Sequence, residues 1–470
     1  MTTSEDVKPK RRGVMQALTD VSVRYVERLM PDPYLFALIL TIIVAALVAF
    51  LVKDATPTGM LKAWYGGVWG SQNIFTFAFQ MVLILVTGYT LAEAPVLKRG
   101  IVYIAGKPNN QVQAALLCFG VSAALHLLNW GLGLVAGALI ARQIAKRLTD
   151  VHFGYLIAAS FMGFVVWTQG LSSSIALANT DGASPINVIH KMTGMTVPLS
   201  DTIFQPYSWV SVIVVVAVLA LAIWRMAPAQ TLAPDPAVFE EESELPVEKS
   251  EGRRSFAEWL ENLWILNVLI FVAGIAYFWV SGFQLNISSM IMLLTITSAL
   301  LHKTPIRFIR AFTGAAKVSG PLLLQYPLYG GLIGLLGYQA SKDIKPLQTL
   351  LAEALVHGAS EYTLPFLTFV GSLIISLFVP SGGGHWAVQG PIAVDSALAI
   401  GQHSSGYLGL MSMAVAVGEG VANMIQPFWL LPLLAIAKLN VRQVMGFTIV
   451  AFLIGFVVLG ATMLIAPYVI

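Results

Sequence analysis

Residues 364–401 read LPFLTFVGSLIISLFVPSGGGHWAVQGPIAVDSALAIG. Two apolar stretches flank Pro380-Ser381-Gly382-Gly383-Gly384-His385-Trp386, a run of helix-breaking residues. Each arm has about 15 to 18 residues, short of the roughly 20 that a spanning helix needs. The pattern predicts a helix–break–helix hairpin. Residues 111–148 repeat it around Asn129-Trp130-Gly131-Leu132-Gly133.

The surroundings are equally apolar. Of 470 residues, 57% are hydrophobic and 11% charged, against about 25% charged in a soluble domain. Such a chain needs lipid as its solvent. The net charge of +3 comes without a basic block suited to nucleic acid, so no nucleic-acid partner is expected. The single cysteine, Cys118, excludes an internal disulfide and thiolate zinc clusters; it lies in an apolar run and reads as a buried structural thiol. The basic N-terminus precedes a retained first span, with no cleavage site of small residues.

Apolar runs predict spans at 34–52, 74–94, 207–224, 263–283, 287–301, 318–337 and 445–465. Two further regions, 154–190 and 407–438, are apolar but broken by Gly, Pro, Ser and Asn, and read as interrupted spans. With the N-terminus in the cytoplasm and each hairpin returning to its own side, these make nine crossings. All but five of the 27 Lys and Arg residues then face the cytoplasm; the exceptions are Lys53, Lys62, Lys191, Lys342 and Lys345. This obeys the positive-inside rule and puts the C-terminus outside. Two full crossings would give the same parity as a hairpin. Residues 227–262 hold nine acidic and three basic residues, including Glu240–Glu242, and read as a solvated cytoplasmic linker.

The linker separates two similar halves. Each has a span, a second span bearing a Gln (Gln80, Gln325), a hairpin, an interrupted span and a final span. The interrupted-span breaks are placed at 168–174 (TQGLSSS) and 418–423 (GEGVAN). Matching features lie about 245 to 252 positions apart, the mark of an internal repeat. The extra span at 263–283 starts the second half on the opposite face, so the repeat is inverted. The domains expected are 1–33 (cytoplasmic segment), 34–226 (first repeat), 227–262 (linker), 263–283 (linking helix) and 284–470 (second repeat). The fold class is an all-α polytopic membrane protein: an inverted-repeat secondary transporter with two re-entrant hairpins and two interrupted helices.

Irregular backbone at membrane depth persists only where protein, water or a ligand satisfies its N–H and C=O groups. Half-helix N-termini suit a carboxylate, and half-helix C-termini suit a cation. Read singly, each Gly/Ser break is helix-packing glue. Four at matched positions point instead to ligand binding. The substrate-binding candidates are Asn129, Trp130, Gly131, Ser172, Ser173, Ser381, Gly382, Gly383, Gly384, His385, Trp386, Gln389, Asn423 and Gln426. Trp130, Trp386 and Trp429 either line a subsite for an acyl tail or fill the core. Glu419 stands mid-span between Gly418 and Gly420. A carboxylate there costs roughly 2.5–3.5 kcal/mol on insertion scales. It reads as a proton carrier, a cation ligand or a structural hydrogen-bonding group. Gln169 and Asn423 join it as coupling-ion candidates. No metal centre or organic cofactor is expected; the coupling ion is a proton or sodium.

The run 378–386 (FVPSGGGHW) with Gln389-Gly390-Pro391 resembles the signature of the short-chain fatty acid transporter (AtoE) family. So do Leu29-Met30-Pro31-Asp32-Pro33, Asn129-Trp130-Gly131, 301–305 (LHKTP) and 423–429 (NMIQPFW). The resemblance implies uptake of short-chain fatty acids such as acetoacetate or butyrate. It also implies a larger ion-transporter superfamily whose members are commonly homodimers with a scaffold domain and an elevator motion. One departure stands at 168–172 (TQGLS), where relatives carry a glycine-rich run.

These readings combine into secondary active uptake of a small organic monocarboxylate, with lipid around it. Rival carriers would move a dicarboxylate or exchange cations for protons. The lack of a mid-span Arg weighs against a doubly charged anion. An intramembrane enzyme would need a motif such as His-Glu-x-x-His or Gly-x-Ser-x-Gly, and neither occurs. A channel would carry substrate only to equilibrium.

Overall fold

A computed structural model describes residues 33–70, 75–184, 186–239, 255–283 and 285–470. The N-terminal segment 1–32, with Leu29-Met30-Pro31-Asp32, and the acidic run Glu240–Glu242 lie outside the described residues. The described residues form helices and no strand.

In the first half, α1 (Pro33–Leu51), α2 (Pro57–Val68), α3 (Phe75–Ala92) and α4 (Pro95–Ala105) lead into the first hairpin. Its arms are α5 (Gln111–Leu128) and α6 (Trp130–Arg147), parted by the extended residue Asn129. The first interrupted span follows: α7 (Phe153–Met162), a 3₁₀ segment Gly163–Gln169, a break, and α8 (Ser174–Asn179). The half closes with α9 (Val188–Thr193) and α10 (Pro206–Arg225). The short α11 (Phe256–Glu261) and the linking α12 (Trp264–Val280) come next. In the second half, α13 (Ile287–Leu301), α14 (Pro305–Ala316), α15 (Gly320–Leu336) and α16 (Leu347–Val356) precede the second hairpin. That hairpin is α17 (Leu364–Phe378) and α18 (Gly382–Ala399). Then come α19 (Ser405–Ala422), a break, the 3₁₀ turn Phe428–Leu430, α20 (Leu431–Ala437) and finally α21 (Arg442–Ile465).

The helices pair between halves in chain order, and their packing is reciprocal. Helices α1 and α2 lie on α15, while α13 and α14 lie on α3. Helix α5 packs on α7 as α17 packs on α19. The second arm of each hairpin touches the far half-helix of the opposite interrupted span, α6 with α20 and α18 with α8. Such swapped contacts are what a pseudo-twofold axis produces. The linking α12, an apolar helix of 17 residues, joins the two halves. It packs mainly along α13, anchored where Asn267 Nδ2 donates to Ala299 O at 2.8 Å.

Close packing replaces the hydrophobic effect between helices in lipid. Where α2 crosses α15, a methyl added at Gly67 would collide with Gly330 O. Only small residues let these backbones meet.

Several expectations need correction. The amphipathic helices α2, α4, α14 and α16 were not foreseen. At 10 to 12 residues they are about 15–18 Å long, too short to cross. The two arms of the first hairpin have 18 residues each, at the upper end of the expected length, and they differ in apolarity. Helix α5 has 18 residues and is one of four described helices long and apolar enough to cross a membrane, with 153–179, α10 and 442–468. The second interrupted span does not break at Gly418. Helix α19 runs unbroken to Ala422, and the chain leaves the helix at 423–427. The cause is local. Pro427 has no N–H and disfavours helix at Gln426. The glycines are packing contacts: a methyl at Gly418 would sit 2.7 Å from Phe369 O, and one at Gly420 would sit 3.0 Å from Val165 O. The linker is not wholly solvated. Its start pairs with the α6–α7 turn, where Phe153 N donates to Leu232 O at 2.9 Å. Its end carries α11 behind a Ser255–Glu258 capping box.

Candidate functional site: chain breaks beside a buried carboxylate

Each hairpin tip touches both interrupted spans. In the first hairpin, Asn129 caps α6 through Oδ1, which accepts from Leu132 N at 2.9 Å. The next backbone group, Trp130 N, donates to Ser172 Oγ at 2.9 Å, joining the tip to the first break. The Trp130 ring lies edge-on to Trp429, 4.7 Å between centroids, joining it to the second. The tip also rests on α3, where a methyl at Gly131 would lie 2.8 Å from Ile84 O.

In the second hairpin, Ser381 caps α18, its Oγ accepting from Gly384 N at 3.4 Å. Gly383 is buried beside Gly382 in the first turn of α18. Gly382 is the meeting point. A methyl there would collide with Ser174 Oγ and lie 3.1 Å from the Trp167 ring and 3.4 Å from Glu419 Oε2. Trp386 Nε1 donates to Asn179 Oδ1 at 3.1 Å, latching the hairpin to the end of α8.

Glu419 sits in the last turn of α19, between Gly418 facing α17 and Gly420 facing the 3₁₀ segment. Its side chain is fully buried, and neither carboxylate oxygen has a hydrogen-bond partner. It lies between two helix ends: the N-terminus of α18, which carries partial positive charge, and the C-terminus of α19, which carries partial negative charge. No Lys or Arg among the described residues is buried. Asn423 donates Nδ2 to Glu419 O at 2.8 Å and leaves its own Oδ1 buried and unpartnered. The hydroxyls of Thr168, Ser173, Ser174 and Tyr326 are likewise buried without partners, and Tyr326 is within electrostatic reach of Glu419. A carboxylate so placed could hold a cation or a proton.

The other candidates face elsewhere. Gln169 turns to α10, where its Nε2 donates to Ser208 O at 2.9 Å and Ser211 Oγ at 2.7 Å, leaving Oε1 unpartnered. His385 and Gln389 form a chain inside the second hairpin: Nε2 to Oε1 at 2.6 Å, then Gln389 Nε2 to Thr368 O at 2.9 Å. Gln426 holds the second break in shape. Its Nε2 donates to the Tyr329 hydroxyl at 3.0 Å and its Oε1 accepts from Phe428 N at 2.9 Å. Two site residues, Trp167 and Tyr326, escaped the sequence reading, because each lies in a stretch of ordinary apolar helix pattern.

Comparison with known proteins places the chain in a family. A family profile described as "Short chain fatty acid transporter" matches residues 14–466. A protein of Escherichia coli (strain K12) named as a short-chain fatty acid transporter is 35% identical over 452 residues, covering 94% of this chain and 98% of its own. One of the same name from Haemophilus influenzae is 32% identical over 440 residues, covering 91% and 95%. Two solved transporters are similar to it at low identity. The Alcanivorax borkumensis YdaH transporter has TM-score 0.46 and 16% identity, covering 92% of this chain and 98% of its own. Neisseria gonorrhoeae MtrF, from a class of antimetabolite efflux pumps, has TM-score 0.39 and 14% identity, covering 96% and 98%. The chain is therefore a multi-pass membrane transporter, and it belongs to the short-chain fatty acid transporter family.

Proposed function

We propose that this transporter performs secondary active uptake of short-chain monocarboxylates such as acetoacetate or butyrate, coupled to a proton or sodium. The observation that carries the reading is the meeting of the second hairpin's tip with both interrupted spans at Glu419, a buried carboxylate with no partner. An ionised Glu419 and an anionic substrate cannot share a low-dielectric site without a neutralising charge. A proton on Glu419, or a sodium ion among Glu419, Asn423 and Ser174, supplies it and ties substrate entry to the ion. Both hairpins then re-enter, because their tips lie against breaks inside the interrupted spans. The family resemblance adds a homodimer, an elevator motion and a place in a bacterial inner membrane with the N-terminus cytoplasmic.

The test is uptake of labelled butyrate into proteoliposomes under a proton gradient and a sodium gradient, imposed separately. Accumulation above equilibrium under one gradient supports the reading and names the ion. Uptake only to equilibrium would identify a channel. No butyrate uptake by folded protein would overturn the reading in favour of a dicarboxylate carrier or a cation/proton antiporter.

A further inference from the structure

The unpartnered polar atoms around the four breaks sort by chemistry. Glu419 Oε1 and Oε2, Asn423 Oδ1 and Gln169 Oε1 can only accept while Glu419 is ionised, and the Thr168, Ser173, Ser174 and Tyr326 hydroxyls can do either. Asn179 Nδ2, at the end of α8, can only donate, and so can three atoms beside the aromatic cluster: Asn129 Nδ2, Trp167 Nε1 and Trp429 Nε1. Their residues are 2%, 3% and 2% exposed, so water does not satisfy them from outside. Trp386 shows the contrast, for its indole N–H is used on Asn179.

The three donors share one aromatic wall. Asn129 adjoins Trp130, whose ring meets Trp429. Trp429 lies 6.3 Å from Phe164, and Phe164 stacks on Trp167 at 5.6 Å. The wall runs from the tip of the first hairpin to Gly382 at the tip of the second.

We propose that the Asn129 amide and the Trp167 and Trp429 indole N–H groups bind the substrate's carboxylate, with the aromatic faces between them taking its short tail. This assignment rests on the monocarboxylate reading above. A carboxylate is acceptor-only, so neutral donors complement it without a buried cation. The donors lie along the wall, and the acceptor-only oxygens of Glu419 lie beside its Trp167 end, across Gly382. A second carboxylate on the substrate would meet acceptors, and the site rejects dicarboxylates for that reason.

Equilibrium binding of labelled butyrate to the purified full-length protein tests this. Trp429→Phe and Trp167→Phe keep the ring and remove the N–H. Each is expected to raise Kd about tenfold, as for loss of one charge-assisted hydrogen bond. Asn129→Asp keeps the capping oxygen but replaces the donor with an acceptor, and is expected to weaken binding more than either. Thermal unfolding should match wild type in both Phe variants, which decide the matter if the Asp variant does not fold. The ratio of propionate to butyrate to valerate affinities should not change, because the tail contacts remain. Folded Phe variants that bind butyrate like wild type would overturn the assignment and leave the transport reading intact. A changed chain-length ratio with unchanged butyrate affinity would reassign the indoles to the tail. Wild-type protein that neither binds nor carries butyrate would remove both.

Discussion

The two hairpins occupy matching places in the repeat, yet their tips are seated differently. The first tip lies backbone to backbone on α3. A methyl at Gly88 would lie 2.7 Å from Leu132 N, and one at Gly131 would lie 2.8 Å from Ile84 O. At the position of α15 that matches Gly88 stands Ile333, and the closest approach of a methyl at Gly384 to it is 3.6 Å, at Cδ1. The N-caps differ in the same sense: 2.9 Å at Asn129 and 3.4 Å at Ser381. The first tip is locked to a neighbouring span, whereas the second is spaced from α15 by a side chain and faces the Glu419 carboxylate. One fold repeated twice thus seats one tip on its neighbouring span backbone to backbone and the other through a side chain.

The largest effect expected from this difference is on stability. Gly88→Ala and Gly131→Ala force a methyl against backbone, which cannot rotate away, and each should destabilise by about 1–3 kcal/mol. Gly384→Ala meets side-chain atoms at 3.1 Å or more and should leave stability near wild type. Thermal unfolding in one detergent compares them. Equal losses in both hairpins would erase the distinction.

A smaller effect concerns motion. Cys118 is the only cysteine and is buried, so an introduced cysteine reports without background. Ala387→Cys on the second hairpin and Leu128→Cys at the first tip both replace exposed residues. Saturating butyrate should slow maleimide labelling at 387 several-fold and leave 128 unchanged. Protection at 128 alone would make the first hairpin the moving one.

Much of this organisation is legible in the sequence, because Gly, Pro, Asn and Ser clustered inside apolar runs leave backbone groups at membrane depth that something must satisfy. Asn129, Gly170 and Pro380-Ser381 mark their breaks correctly. Gly418 and Gly420 mislead, because a glycine that lets two backbones approach looks the same in sequence as one that ends a helix; Pro427 carried the better signal. The short surface helices were hidden by a search for long apolar runs. Their own signal was present, in Thr56-Pro57 and Thr304-Pro305, each placing Pro at the first helical position. Trp167 and Tyr326 were not legible, since only tertiary packing brings them to Glu419. Gln169, His385, Gln389 and Gln426 have the right chemistry for a site, but neighbours that no local pattern reveals engage them.

In the proposed mechanism Glu419 is the group that ties ion to substrate. Its most direct test is Glu419→Gln in proteoliposomes, with butyrate counterflow and gradient-driven accumulation measured on the same preparation. The amide keeps the side chain's shape and removes its charge. Counterflow should persist while accumulation above equilibrium is lost. A variant that accumulates butyrate like wild type would contradict the mechanism and move the coupling role away from Glu419.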